Sequence, residues 1–385
     1  MGVKTWLASG FLAASLMLVA CGSVATAPSI GHTKVPALGS NAASFDAVEI
    51  DQAAHRLYAA DRTDGGVDIF DVSSPSAQYL KTVQISDANG IAVAPDLGEV
   101  FVGTANGVSV IDVKAGSPTA DTLIKQIRTG AAGVDLIDYA PSVHRLFASN
   151  GIHGTVSVVD TTTNTVAAVF KVGYALEQPR FNPADGMLYV PSPDAGALFQ
   201  LDATTGAIKN KIVISGCGRG LAIDPKLDDA LVACSSYVAL VDLHSPIKIT
   251  TFPDVSGGDV VSFDAQVDRF FVAAPNAKPT TVGIFGGNPV AYIASVDTGA
   301  GSNSAVFDET NRLVYAPDTR AGTAGLDSFS MPSGDLSLNA SWSDIAILAV
   351  LLVAVAVVML LVGRHADPIN RQEPITRRGG VRPQP

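Results

Sequence analysis

Leu146-Phe147-Ala148-Ser149-Asn150-Gly151, followed by Val156-Ser157-Val158-Val159-Asp160-Thr161-Thr162-Thr163-Asn164, decides how this chain is read. An apolar/aromatic step opens a short strand and a small polar turn ends it. An alternating strand then runs into Asp and a Thr-rich turn. The step recurs at Leu57-Tyr58, Val100-Phe101, Leu188-Tyr189, Leu231-Val232, Phe270-Phe271 and Val314-Tyr315. In chain order the seven second members are spaced by 43, 46, 42, 43, 39 and 44 residues. Each unit carries an apolar run before a turn, such as Gly90-Ile91-Ala92-Val93 ahead of Pro95-Asp96, and closes with a weaker fourth strand. Short strands at even spacing, Gly/Asn turns and no helical period predict four-stranded blades. Seven of them predict an all-β, seven-bladed β-propeller over residues 33–340.

The quoted stretch resembles the YVTN-type propeller repeat, an LYV-type strand, a small-residue turn and an alternating strand ending in Asp and a Thr-rich turn. Leu188-Tyr189-Val190 with Leu198-Phe199-Gln200-Leu201-Asp202-Ala203-Thr204-Thr205-Gly206 is the other close match. The resemblance spans residues 45–340 and implies seven blades. It says little of activity, since such folds host binding modules, enzymes and scaffolds alike.

The two ends set an address. Residues 1–20 read as a secretory signal, with Lys4 in its basic region and an apolar stretch behind it. Leu18-Val19-Ala20-Cys21-Gly22 resembles the lipobox of bacterial lipoproteins, which implies cleavage before Cys21 and lipidation of that residue. Cleavage after Ala25-Thr26-Ala27 is the alternative. Residues 21–32 are then a linker. At the other end, residues 345–363 carry no charge and are long enough for one bilayer crossing, with Trp342 just ahead. A C-terminal single transmembrane helix is therefore expected, followed by a basic, Pro-rich cytoplasmic tail, residues 364–385. The expected location is the bacterial inner membrane, with the propeller on the periplasmic side.

Of 385 residues, 16% are charged and 47% hydrophobic, and mean hydropathy is +0.31. That excludes a disordered chain. The formal charge is −11 overall. Residues 22–344 alone hold 19 basic and 34 acidic side chains, a net of −15, so nucleic acid is not an expected partner.

Superposing the repeats on the aromatic step exposes one polar column. Twelve residues before it stand Asp46, Asn89, Asp135, Glu177, Asp259 and Asn303, and in blade five, with a connector one residue longer, Arg219. All seven precede an innermost strand, so a propeller would set them around one mouth of its channel. Such a ring suits a ligand of amine, hydroxyl or metal character. A solvated rim needs the same residues and no ligand. Calcium would suit the Asp and Asn ligands, although no cofactor is required. Arg219 would pair with Glu177 of the adjacent blade or hold a carboxylate.

Other chemistry is sparse. His32 and His365 fall outside the repeats, His55 and His144 read as turn residues, His153 lies in a turn near the polar mouth, and His244 in a loop. Third strands end in Asp71, Asp112, Asp160, Asp202 and Asp242, which read as turn-capping acids. No nucleophile elbow, P-loop, haem motif or His metal spacing occurs. With Cys21 lipidated, Cys217 and Cys234 remain as a pair for a disulfide in an oxidising compartment. If Asp224 faces Ala230, Cys234 faces Gly220, and the bridge requires the preceding loop to fold back. Residues 33–38 and 335–339 both suit a ring-closing strand.

The resulting expectation is a membrane-anchored, extracytoplasmic propeller that binds a protein partner or small ligand, more a binding module than an enzyme. A lactonase- or lyase-like enzyme with a carboxylate-bound divalent metal is the second reading. A sensor coupling the propeller to the tail is the third.

Overall fold

A computed structural model describes residues 29–36, 44–130, 133–320 and 322–332. The chain divides into two compact units, residues 1–332 and 333–385, and the second lies outside the described residues. The signal segment 1–20, Cys21, the segment 345–363, the tail 364–385 and the alternative closing strand 335–339 also lie outside them. Seven four-stranded antiparallel sheets form the first unit, as the repeats predict. The expected combination of propeller and transmembrane helix is corrected: among the described residues no helix is long and apolar enough to cross a membrane.

Blade one shows why the sequence repeats as it does. Its strands are Phe45–Asp51, Arg56–Asp61, Gly66–Asp71 and Gln78–Gln84, in that order from the axis outward. Successive side chains on a strand point to opposite sheet faces. On the second strand, Tyr58 and Ala60 pack with Val100 and Val102 of blade two, while Leu57 and Ala59 pack with Leu313 and Tyr315 of blade seven. Both faces are therefore buried: the second strand is apolar between its ends, and the third is buried even at its polar position, Asp68. The fourth strand is largely exposed, hence its weak signal. Seven apolar clusters fill the seven blade interfaces.

The ring closes from the N-terminal side. Strand Ser29–Lys34 pairs antiparallel with Gly325–Ser330, the third strand of blade seven, and becomes that blade's outermost strand. The expected linker over residues 21–32 is thus shortened, and the propeller begins at Ser29. His32, expected outside the repeats, sits on this strand with Nδ1 2.6 Å from Asp327 Oδ1.

The Asp-ended strands behave as read. Each of Asp71, Asp112, Asp160, Asp202 and Asp242 accepts a backbone N–H two residues on. Backbone amides of Thr205 and Thr204 hold Asp202 down at about 2. A second column went unread: Asp51, Asn182, Asp224, Asp264 and Asp308 end innermost strands and cap the following turn in the same way. His55 and His144 occupy left-handed turn positions (φ 53° and 50°).

Cys217 and Cys234 are disulfide-bonded. Asp224 faces Asp229, not Ala230, and a register shift between Cys217 and Leu221 brings Cys217 directly opposite Cys234. A bulge in the strand therefore does what the loop was expected to do.

Leu146 is fully buried at the interface of blades two and three. Leu146→Ala is expected to cost about 2–5 kcal/mol in urea unfolding. Reducing the disulfide, which closes a loop of sequence separation 17, is expected to cost about 3 kcal/mol by the loop-entropy relation. Comparison of oxidised and reduced unfolding midpoints checks this.

Candidate functional site

Five residues of the polar column precede their innermost strands, while Asp46 and Arg219 lie within the first residues of theirs, Phe45–Asp51 and Cys217–Asp224. The register explains the common spacing. Tyr58 faces Glu49, Tyr189 faces Arg180, and in blade five Leu231, not Val232, faces Ala222. Leu231 is therefore the true marker, and Arg219 stands twelve residues before it like the other six. No longer connector is needed.

The rim is held together by its own polar groups. Asp259 Oδ1 lies 3.8 Å from Arg219 Nη1, so Arg219 pairs with blade six rather than with Glu177. Asn89 donates to the carbonyl of Val134 at 3.0 Å, and Asn303 to that of Phe45 at 3.2 Å. Each amide thus reaches the neighbouring blade. Arg62, which the sequence reading missed, ion-pairs with Asp46 and donates from Nε to Asn89 Oδ1 at 2.9 Å. It lies four residues after the aromatic marker, where the other blades carry Ala105, Gly151, Pro193, Ser235, Pro275 and Thr319. A single charged residue in an uncharged column was the signal available.

Four carboxyl groups against two guanidinium groups leave excess negative charge at the mouth. Burial, opposed by Arg62 but reinforced by Asp135 and Asp259, pushes Asp46 up to about 7. Burial, with the charges of Asp135 and Asp259 and against Arg219, pushes Glu177 up to about 8. Glu177 hydrogen-bonds to Asp135, which requires one proton shared between the two carboxyl groups. Arg62 beside Asp46 does not win, because two further acids and desolvation act together.

One residue deeper, the channel is pinched. Ala47, Gly90, Leu136, Gln178, Gly220, Val260 and Ser304 occupy equivalent positions in the seven blades, and all are buried. Gln178 crosses between blades: its Oε1 accepts the amides of Leu221 and Val261, and its Nε2 donates to the carbonyl of Val261. At Gly220 a Cβ would stand 1.9 Å from the carbonyl oxygen of Asp259, so only glycine lets these strands approach. Beyond the pinch lies a second compartment whose wall includes Glu49, Asp138 and Arg180, none of which was singled out from sequence.

The rim carboxylates do not form a compact metal-ligand group. Among the described residues the group that does is His32, Asp318 and Asp327. Arg320 already donates from Nε to Asp318 Oδ2 at 2.6 Å, so a cationic side chain meets that charge. His153 ends the short turn Gly151–His153 and is exposed.

No protein-family profile matches the chain, and no curated protein does. The YVTN likeness therefore rests on the quoted residues alone. Among solved structures, a chain of the Kuenenia stuttgartiensis hydrazine synthase is similar at TM-score 0.65 and 14% identity, covering 77% of this chain and 97% of that one. At that identity the likeness speaks for fold alone. In all, 1347 solved chains match, which makes the architecture too widespread to carry an activity.

A carboxyl held above its ordinary range favours the protonated protein. Its contribution is complete at acidic pH and drains away as pH rises through the folded value. Between pH 6 and 9 the melting temperature is expected to fall, and Glu177→Gln is expected to flatten that fall. Thermal unfolding across this range, in both proteins, measures it.

Proposed function

We propose that this propeller is an extracytoplasmic binding module that engages an amine- or hydroxyl-bearing group of its ligand or partner at the acid-rimmed mouth of its channel. The observation that carries the reading is the uneven charge of that rim, where Asp46, Asp135, Glu177 and Asp259 meet only Arg62 and Arg219. The protonated Glu177–Asp135 pair can give its proton to an arriving neutral amine, or lose it to solvent as an ammonium group arrives. Either exchange leaves a carboxylate–ammonium ion pair in a partly desolvated mouth. The fold itself supports a binding or scaffold role.

The export reading is supported by the Cys217–Cys234 disulfide, a bond that persists in oxidising compartments. The lipobox-like Leu18–Gly22 segment supports a lipid tether at Cys21. The net of −15 over residues 22–344 supports cationic over anionic partners. Binding is favoured over metal-dependent catalysis because the rim acids are engaged by arginines and by one another.

The test is thermal shift of the full chain with spermidine and, separately, calcium chloride. Spermidine is expected to raise the melting temperature, and Asp259→Asn with Glu177→Gln to abolish the rise. A response to neither, or one that survives both substitutions, would overturn the proposal. A calcium response lost with the same residues would redirect it to a metal.

A further inference from the structure

The compartment beyond the pinch is separate from the acid rim. It is a cavity of about 360 Å³ whose wall comes from six of the seven innermost strands, within the size range of small-molecule sites. Glu49, Asp138 and Arg180 stand at equivalent positions of blades one, three and four. The corresponding residues elsewhere are Ala92, Ala222, Ser262 and Val306, so at this level only three blades are charged, while Asp264 and Glu309 add acids farther along the wall.

Two of these charged groups have capacity to spare. Asp138 does not: one oxygen accepts the Phe181 amide at 2.7 Å and the other lies 3.4 Å from Arg180 Nη1. Arg180 uses Nη1 again on the carbonyls of Pro179 and Ile137, at 3.1 and 3.4 Å. Those contacts fix the guanidinium and leave its Nε and Nη2 edge without a hydrogen-bond partner among the described residues. Glu49 feels the charges of Arg180 and Asp138, yet forms no direct ion pair with Arg180. Burial, the largest influence on it, pushes Glu49 up to about 7. At the outer end Gln52 is locked, donating to the Phe307 carbonyl at 2.7 Å and accepting the Glu309 amide at 3.2 Å. Asp264 accepts the amides of Gln266 and Val267 at 3.0 and 3.1 Å. The Glu309 carboxyl, raised by burial and by Asp264 and Asp308, adds acid at that outer end. At the level of Glu49 and Arg180 a carboxyl and a guanidinium edge are coupled but not joined.

We propose that this compartment binds a small zwitterion of the α-amino acid class, its carboxylate on the Nε/Nη2 edge of Arg180 and its ammonium group on Glu49. A bidentate guanidinium–carboxylate pair fixes orientation as well as charge. The ammonium group supplies the countercharge that Glu49 lacks when ionised. The site does not depend on the rim: the buried layer of Leu136, Gln178 and Val260 lies between them.

The experiment titrates the full chain with individual L-amino acids by thermal shift and calorimetry. Putrescine and propionate serve as probes carrying only one kind of charge. At least one amino acid is expected to bind and to outcompete both single-charge probes. Glu49→Gln and Arg180→Gln are each expected to weaken binding by about tenfold or more, and affinity is expected to rise from pH 6 to pH 8 as Glu49 ionises. Asp259→Asn, at the opposite mouth, should leave it unchanged. Should Arg180→Gln fail to fold, Ala222→Leu narrows the cavity without touching a charge and is expected to block binding. No response to any amino acid overturns the proposal, as does undiminished binding by Glu49→Gln. Equal binding of propionate, or of putrescine in the Asp259→Asn protein whose rim is weakened, would also overturn it. Because spermidine at the rim is read with different variants, either proposal can fail while the other stands.

Discussion

Everything in this molecule depends on sheets that have no solvent face. A blade buried on both sides cannot stand alone, since each face needs a neighbour of complementary relief. Seven such sheets satisfy one another only by closing a circle. Leu57 and Tyr58, adjacent in sequence, serve opposite neighbours, so each aromatic step belongs to two interfaces at once. The same requirement draws the innermost strands together at the axis, where Gly220 and Gln178 take the places that bulkier or less versatile side chains would deny.

That arrangement explains what could be read in advance. Two-faced burial writes long apolar strands separated by Gly/Asn turns, so the repeat, the blade count and the capping acids of the third strands were legible from residues alone. The polar column was legible too, because position relative to a repeat marker is a one-dimensional quantity. Partner choice was not. Arg219 turned to Asp259 rather than Glu177, and Arg62 entered the rim from a turn between the second and third strands, because contacts among seven converging chain segments are set by the ring. The Leu231 marker was misplaced by one residue for a related reason: Leu231 and Val232 are both apolar and only strand register separates them. The disulfide was paired correctly from sequence, but its route through a bulge depends on two residues of register that composition does not encode.

Function divides along the axis. Near the N-terminal ends of the innermost strands, acids and arginines are largely matched with one another across blades, so the rim both joins the ring and presents surplus negative charge. Near the C-terminal ends, Glu49 and Arg180 face a cavity without being matched. The buried layer between them keeps these two electrostatic environments apart, and a charge entering one has to be accommodated locally. A single narrow bore can in this way hold two chemically distinct compartments on one scaffold.

The closing strand carries a consequence for how the protein comes into being. His32 and Asp327, which meet across the seam, are 295 residues apart in sequence. Among the described residues, the strand made earliest therefore has to wait for the blade made latest. Until blade seven has been made, the N-terminal segment has no edge to join and the growing stack keeps both ends open. Contacts of such separation slow the final step of assembly, and unpaired edges invite pairing with other chains in the interval. For this propeller, completion is a property of the whole chain, and a chain interrupted late in blade seven has all its other blades but no ring.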